Sequence, residues 1–416
     1  MPESKDQLRP PIADATPKAH SATGWRKVLF VHNGPVYRAP DGELFGTHIT
    51  DELRVRYLAL GTSVHFLMRE KPLAVERQRL SKIENRKFSF TAVPEVLTPR
   101  GRLVNSRRAR KVVFDAVAQA DVVVARVPSL IARWAVHAAR RLNKPYMLEC
   151  VACNWDALSN HRWLGRMLAP WYFLAQKRLV INAPFVIYVT RSFLQERYPT
   201  RGESFSISNV VLEPAEAEVL DRRLHRIRAM AGQHRPLRLV TVASVSTPYK
   251  GQADIIAALA PLSAAGIACE YHLIGGGDQR RLQALAASLG VSAHVRFHGS
   301  VRHADIFSLL DEMDIYVQPS RQEGLPRAVI EAMSRGMPAL GAKTGGIPEL
   351  LPSDRVFKPG DTPAVLKILA SMLQTSALEI DAKRNFQESM RYTKDRLADE
   401  RSRAYLAFVQ RHQFVP

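Results

Sequence analysis

The chain has 416 residues, 46% of them hydrophobic, which is too long for one ordinary core and ample for two. Its 59 Lys and Arg against 39 Asp and Glu give a formal net charge of +20, with 38 basic and 21 acidic side chains in residues 1–235 but 21 and 18 in residues 236–416. The asymmetry suits an acidic partner for the first half, an anionic membrane or a phosphate-bearing acceptor, or else a merely soluble basic surface; Arg107-Arg-Ala-Arg-Lys111, Arg140-Arg141 and Arg222-Arg223 lack the aromatic interleaving or helix-turn-helix pattern that nucleic acid requires.

Residues 1–23 are polar and proline-dotted without an apolar h-region, so they are expected to form a disordered tail and not a secretory signal. Strand candidates then alternate with helical stretches at Lys27–His32, Ser63–Met68, Phe88–Val93, Val122–Arg126, Pro145–Glu149 and Phe185–Thr190. Strands punctuated by helices predict a parallel sheet covered on both faces, in an N-terminal acceptor domain over 24–212. The first strand runs on into Asp41–His48, a loop whose glycines let backbone approach a ligand. Cys150-Val-Ala-Cys153 is a lone CxxC; with no second pair and no nearby histidine pair it reads as two buried thiols.

Farther along, Trp163, Leu164, Met167, Leu168, Trp171, Tyr172 and Leu174 stand among Arg162, Arg166, Lys177 and Arg178. Two readings stay open there, an interfacial membrane helix and a core-packing helix with a basic outer face. Charges interrupt this stretch before it reaches transmembrane length, so a cytoplasmic protein is expected, peripheral at most on the inner face of the cell membrane. Residues 213–236 are charged and without strand character, which suits a linker. A second run of strands follows at Leu237–Val245, Glu270–Ile274, His294–Phe297, Asp314–Val317 and Pro338–Gly341, in a C-terminal domain over 237–390. The fold class is therefore α/β with two facing doubly wound Rossmann-like domains, and ligands are expected beyond the carboxyl ends of the strands.

Within the second domain, Asp314–Ser320 reads as a buried strand closed by Pro319 and Ser320, so Glu323 falls in the loop at its carboxyl end. Pro326 suits the first turn of the next helix, where a missing N–H costs nothing. Leu325, Ala328, Val329, Ala332, Met333 and Gly336 form one apolar stripe, which predicts Glu331 on the other face beside Arg327. The helix N-terminus, with the backbone N–H groups of Gly324 to Arg327, suits a phosphate. Arg327 and Glu331 alone equally suit a weak surface ion pair.

Taken in order, Leu239–Gly251, Leu273-Ile-Gly-Gly-Gly-Asp278, Val295–Val301, Glu323–Glu331 and Thr344-Gly-Gly-Ile-Pro-Glu349 resemble the nucleotide-sugar-binding half of retaining glycosyltransferases of GT-B fold, the large family four class, whose signature is a Glu, seven residues, then Glu. The resemblance covers residues 237–351 and implies transfer from a UDP-sugar or GDP-sugar donor, with no cofactor and no metal. It implies Glu323 on the donor sugar, Glu331 on the ribose hydroxyls, the amides of Gly324 and Leu325 at the phosphates, and Lys250 on the diphosphate. Gly275 and Gly276 would line the nucleotide, Gly46 and His48 would lie near the diphosphate and acceptor, and a C-terminal helix over 391–416 would cross back to the first domain. Many members carry an arginine where this chain has Val245, and Arg321 is the candidate to supply that charge. Asp311-Glu-Met-Asp314 is the nearest approach to a metal-binding DxD and is placed at a helix end and strand start. A glycan or lipid-diphosphate-linked saccharide, as in capsule, exopolysaccharide or lipopolysaccharide assembly, is the expected acceptor. A sugar-nucleotide epimerase and a non-catalytic nucleotide-sugar-binding protein are the alternatives.

Overall fold

The computed structural model describes residues 25–46, 51–73, 80–83, 88–160, 163–230 and 235–413, so the expected tail over 1–23 and His48 lie outside the described residues. Two compact units form: one gathers residues up to Ala125, Trp134–Tyr146 and the chain from Tyr405, the other Arg126–Arg133 and Met147–Ala404.

In the first unit, strands β1 (Lys27–Arg38), β2 (Leu44–Gly46), β3 (Ser63–Pro72), β4 (Ser81–Lys82), β5 (Ser89–Ala92) and β6 (Val122–Val127) follow in chain order. Strand β1 runs parallel to β3 and β6, with Val28 opposite Val64 and Val122, and β5 adds to β3. Val28, Leu29, Phe30 and Val31 are all fully buried, because helices cover both faces of a parallel sheet. Phe30 stacks on Tyr57 at 4.7 Å, and Trp25 meets Phe408 of the helix Lys394–Gln413 at 5.6 Å. The sequence does not announce β2 and β4, which are short and antiparallel to their neighbours. Gly46 lies in β2, opposite Val36.

In the second unit, β7 (Tyr146–Cys150), β8 (Phe185–Tyr188) and β9 (Glu203–Ser206) run parallel, with Leu148 opposite Val186 and Val186 opposite Ser204. Six more strands follow: β10 (Leu237–Val242), β11 (Cys269–Ile274), β12 (Val295–Gly299), β13 (Ile315–Gln318), β14 (Ala339–Ala342) and β15 (Val356–Phe357). They form a parallel sheet in the order β12-β11-β10-β13-β14-β15. Connections leave β10 toward one edge and β13 toward the other, so a crevice opens beyond their carboxyl ends. Lys250 and Glu323 sit in those two loops.

The segment expected as a plain linker contains the helix Ala217–Met230, buried along Val219, Leu224 and Ile227 and packed on the helix Thr375–Ser389. Its charge conceals this, because one of its arginines faces inward. Arg223 donates to the carbonyls of Leu310 at 2.9 Å, Met313 at 2.6 Å and Arg335 at 3.1 Å, acceptors at or just past the C-terminal ends of the helices His303–Asp311 and Arg327–Ser334. Arg223 therefore does not belong to a surface patch for acidic partners. Among the described residues no helix is long and apolar enough to cross a membrane.

Candidate active site

After β10 the chain makes a short 3-10 turn, Pro248–Lys250, and after β13 it loops through Pro319 to Pro326. The two loops are joined by a backbone bond from Arg321 N to Tyr249 O at 2.7 Å. Gly251 follows Lys250 at φ +75°, where a Cβ would stand 2.0 Å from the Pro319 carbonyl oxygen. Only glycine lets the backbones approach this closely.

That approach brings Lys250 Nζ to 2.6 Å from Glu323 Oε1, with the side chains 23% and 10% exposed. Gln318, buried at the end of β13, donates from Nε2 to Ser320 Oγ at 2.7 Å and to the same Glu323 oxygen at 3.0 Å. The Tyr316 hydroxyl donates to Gln318 Oε1 at 2.7 Å, fixing which way that amide points. Burial first, and the nearby Glu323 and Glu331 charges after it, hold Tyr316 well above the ordinary phenol range, so it stays a donor. Both donors to Glu323 meet Oε1, and among the described residues Oε2 receives no hydrogen bond. The carboxylate is thus oriented through one oxygen.

The glycine turn borders the same loop. Gly276 O accepts from Val245 N at 3.2 Å and Ser244 Oγ at 3.1 Å, and Gly275 N donates to Gly299 O at 2.9 Å. Val245 itself is 1% exposed within the apolar core, so its side chain offers nothing to a ligand. Arg321 is engaged by Asp254 at 2.6 and 2.7 Å, a partner in the helix Gln252–Ala264 that the sequence reading did not foresee.

The helix Arg327–Ser334 begins after Pro326, and no side chain caps its first amides. Leu325 and Arg327 line a cavity of about 190 Å³ here, together with Val151, Val189, Ser208 and Asn209. Glu331 corrects an expectation. It is 3% exposed and accepts from His303 Nε2 at 2.9 Å, with no ion pair to Arg327. The helix His303–Asp311 packs over the face that periodicity left open.

The hydrogen bond to Glu331, more than any opposing burial, raises the His303 pKa above 6.5. A raised folded-state value stabilises the fold fully below the unfolded pKa, and that contribution is lost as pH rises through the folded one. His303→Ala should therefore lower the melting temperature more at pH about 6 than at pH about 9. Equal losses at both would remove the ion pair from the account.

The turn Thr344–Glu349 supports the Glu323 loop from behind through Gly346 N to Gly324 O at 2.6 Å. Glu349 accepts from the backbone N–H groups of Arg191 at 2.6 Å, Ser192 at 3.1 Å and Phe193 at 2.7 Å, tying the end of β8 to this loop. Arg191 is further held by Glu388 and by the Tyr392 hydroxyl. Sequence reasoning missed Gln318 and His303; a glutamine closing an otherwise apolar strand was the available signal. Cys150 and Cys153 are buried thiols, Cys153 lying 3.1 Å from the Tyr198 hydroxyl, and burial pushes Cys150 up to about 12. Among the described residues no three His, Cys, Asp or Glu side chains gather as a metal site.

Residues 229–389 match the family model described as glycosyl transferases group 1. Protein CapJ of Staphylococcus aureus is 26% identical over 92% of this chain and 95% of its own length. The amylovoran biosynthesis glycosyltransferase AmsK of Erwinia amylovora is 34% identical over 35% of this chain and 38% of its own length. Among solved structures, Anabaena HepE in complex with UDP-glucose aligns with a TM-score of 0.61 at 17% identity, covering 92% of this chain and 99% of that one. WaaG, a glycosyltransferase involved in lipopolysaccharide biosynthesis, gives the same TM-score, identity and coverage. At such identities the structural likeness speaks for the fold.

Proposed function

We propose that this chain, which belongs to the glycosyl transferases group 1 and is a glycosyltransferase of GT-B fold, moves a sugar from a nucleoside-diphosphate sugar to a glycan or lipid-diphosphate-linked saccharide with retention of anomeric configuration. The observation that carries this reading is the Lys250–Glu323 pair at 2.6 Å, beside an uncapped helix N-terminus. As the glycosidic bond to the leaving group breaks, positive charge grows on the sugar and negative charge on the diphosphate. Lys250 and the amides near Gly324 and Leu325 offset the second. Glu323, fixed through Oε1, offers Oε2 to a donor-sugar hydroxyl, and Glu331 takes the ribose hydroxyls. Gly275 and Gly276 line the nucleotide. Arg321 orders the loop through Asp254.

These groups meet the leaving-group charge without a metal ion, so a chelator should leave transfer unchanged. The amylovoran biosynthesis name of one relative and the UDP-glucose complex of one neighbour support surface polysaccharide assembly with a UDP-sugar, GDP-sugars being next to test. The basic first half supports work at an anionic membrane surface on the cytoplasmic side.

Calorimetry with UDP, GDP and ADP tests the reading. One nucleoside diphosphate should bind, and Glu331→Ala should weaken it roughly ten- to a hundredfold, the scale of one charged hydrogen-bonding partner. Unchanged affinity would take Glu331 out of the site. Interconversion of the donor sugar without acceptor would make the protein an epimerase instead.

A further inference from the structure

We propose that the helix Trp163–Ile181 docks the enzyme on an anionic lipid bilayer through an outward row of apolar side chains. Trp163, Met167, Trp171 and Leu174 recur at intervals of four, four and three residues, so they share one face. They are 66%, 64%, 75% and 48% exposed, and Leu168 beside them is 47% exposed. The inward face is already occupied. Ala169, Gln176, Leu179 and Val180 are buried, and Gln176 donates to Ala152 O at 3.1 Å and accepts from Asn154 N at 3.3 Å. The second reading of this stretch, a core-packing helix with a basic outer face, describes the buried side and the exposed Arg166 and Arg178, but leaves the exposed apolar row without a role.

A helix apolar on both sides belongs in a core or against lipid. This one is too poor in hydropathy to span a bilayer, which leaves the interface. Two features select lipid over a protein partner. Two of the four side chains in the row are tryptophans, the most exposed of them, and their amphipathic rings favour the headgroup boundary. Arg166 and Arg178 are exposed on the same helix, and the half of the chain that carries it holds 38 basic against 21 acidic residues, which suits an anionic surface.

The position has a use that rests on the transferase reading. Asn160, just ahead of the helix, donates from Nδ2 to Arg321 O at 3.0 Å, in the loop that carries Glu323. Docking by this helix would hold that loop near the surface where a lipid-diphosphate-linked saccharide resides.

The full chain would be sedimented with vesicles of phosphatidylcholine alone and of phosphatidylcholine with phosphatidylglycerol, at low and high salt. Binding is expected to the anionic vesicles, to weaken with salt, and to bring a blue shift of tryptophan emission. Trp163→Ala with Trp171→Ala should lower it by about tenfold or more at unchanged melting temperature. Arg166→Glu with Arg178→Glu should remove the preference for phosphatidylglycerol. Failure to bind either vesicle, or equal binding by the tryptophan variant, overturns the proposal, as does a wild-type dimer that the tryptophan variant abolishes without vesicle binding. Nucleoside diphosphate affinity is measured on the same samples: its absence would remove the transferase reading and leave the docking result standing.

Discussion

Lys250→Met is expected to lower the rate of transfer roughly a hundred- to a thousandfold while leaving the melting temperature almost unchanged. Two magnitudes separate these effects. As a structural ion pair Lys250–Glu323 is partly exposed, and such pairs contribute about 0 to 1 kcal/mol. Removing a charged group that meets a developing anion costs about 3 to 4 kcal/mol of activation free energy, because the group acts more strongly on the transition state than on the ground state. Gln318 Nε2 would still hold Glu323 at 3.0 Å after the substitution, so the carboxylate should keep its place. Glu323→Gln should also lower transfer, and the double variant should lose much less than the product of the two losses, since the residues act as one unit. Transfer by Lys250→Met within twofold of the wild type would end its assigned role.

The parts of this site that the sequence displayed are those set by local pattern. Val28–Val31 and Ile315–Val317 read as strands because both faces of each sheet are buried, leaving unbroken apolar runs. Strand β9 escaped notice because its burial alternates at a polar edge, and β15 because it has two residues. Periodicity found the inward stripe of the helix Arg327–Ser334 but could not see that the helix His303–Asp311 covers the opposite face, so Glu331 was expected in the open. Position along the chain placed Glu323 after a strand. Its orientation depends on Lys250, 73 residues away, and on Gln318, which the sequence reading placed in the buried strand without a role for its amide. Arg321 was legible as a charge near the site, whereas its engagement with Asp254 is a contact across 67 residues that no local pattern encodes.

Gly251→Ala is expected to inactivate the enzyme more thoroughly than it destabilises it. At φ +75° an alanine pays backbone strain of about 1 to 3 kcal/mol, and its Cβ would lie 2.0 Å from the Pro319 carbonyl oxygen, so one of the two loops must withdraw. Gly251 ends the turn that presents Lys250 and opens the helix Gln252–Ala264, while Pro319 begins the loop that presents Glu323. A withdrawal of about 1 Å there separates the lysine from the carboxylate and costs on the order of a hundredfold in rate through lost alignment. Gly266 supplies the control, since it has φ +79° but nothing within 4 Å of an added Cβ. Gly266→Ala should show comparable backbone strain in the melting temperature and near-normal transfer. If both variants lose activity in proportion to stability, the close approach of the two loops is scaffolding alone; if only Gly251→Ala loses it, the spacing between Lys250 and Glu323 is what the glycine protects.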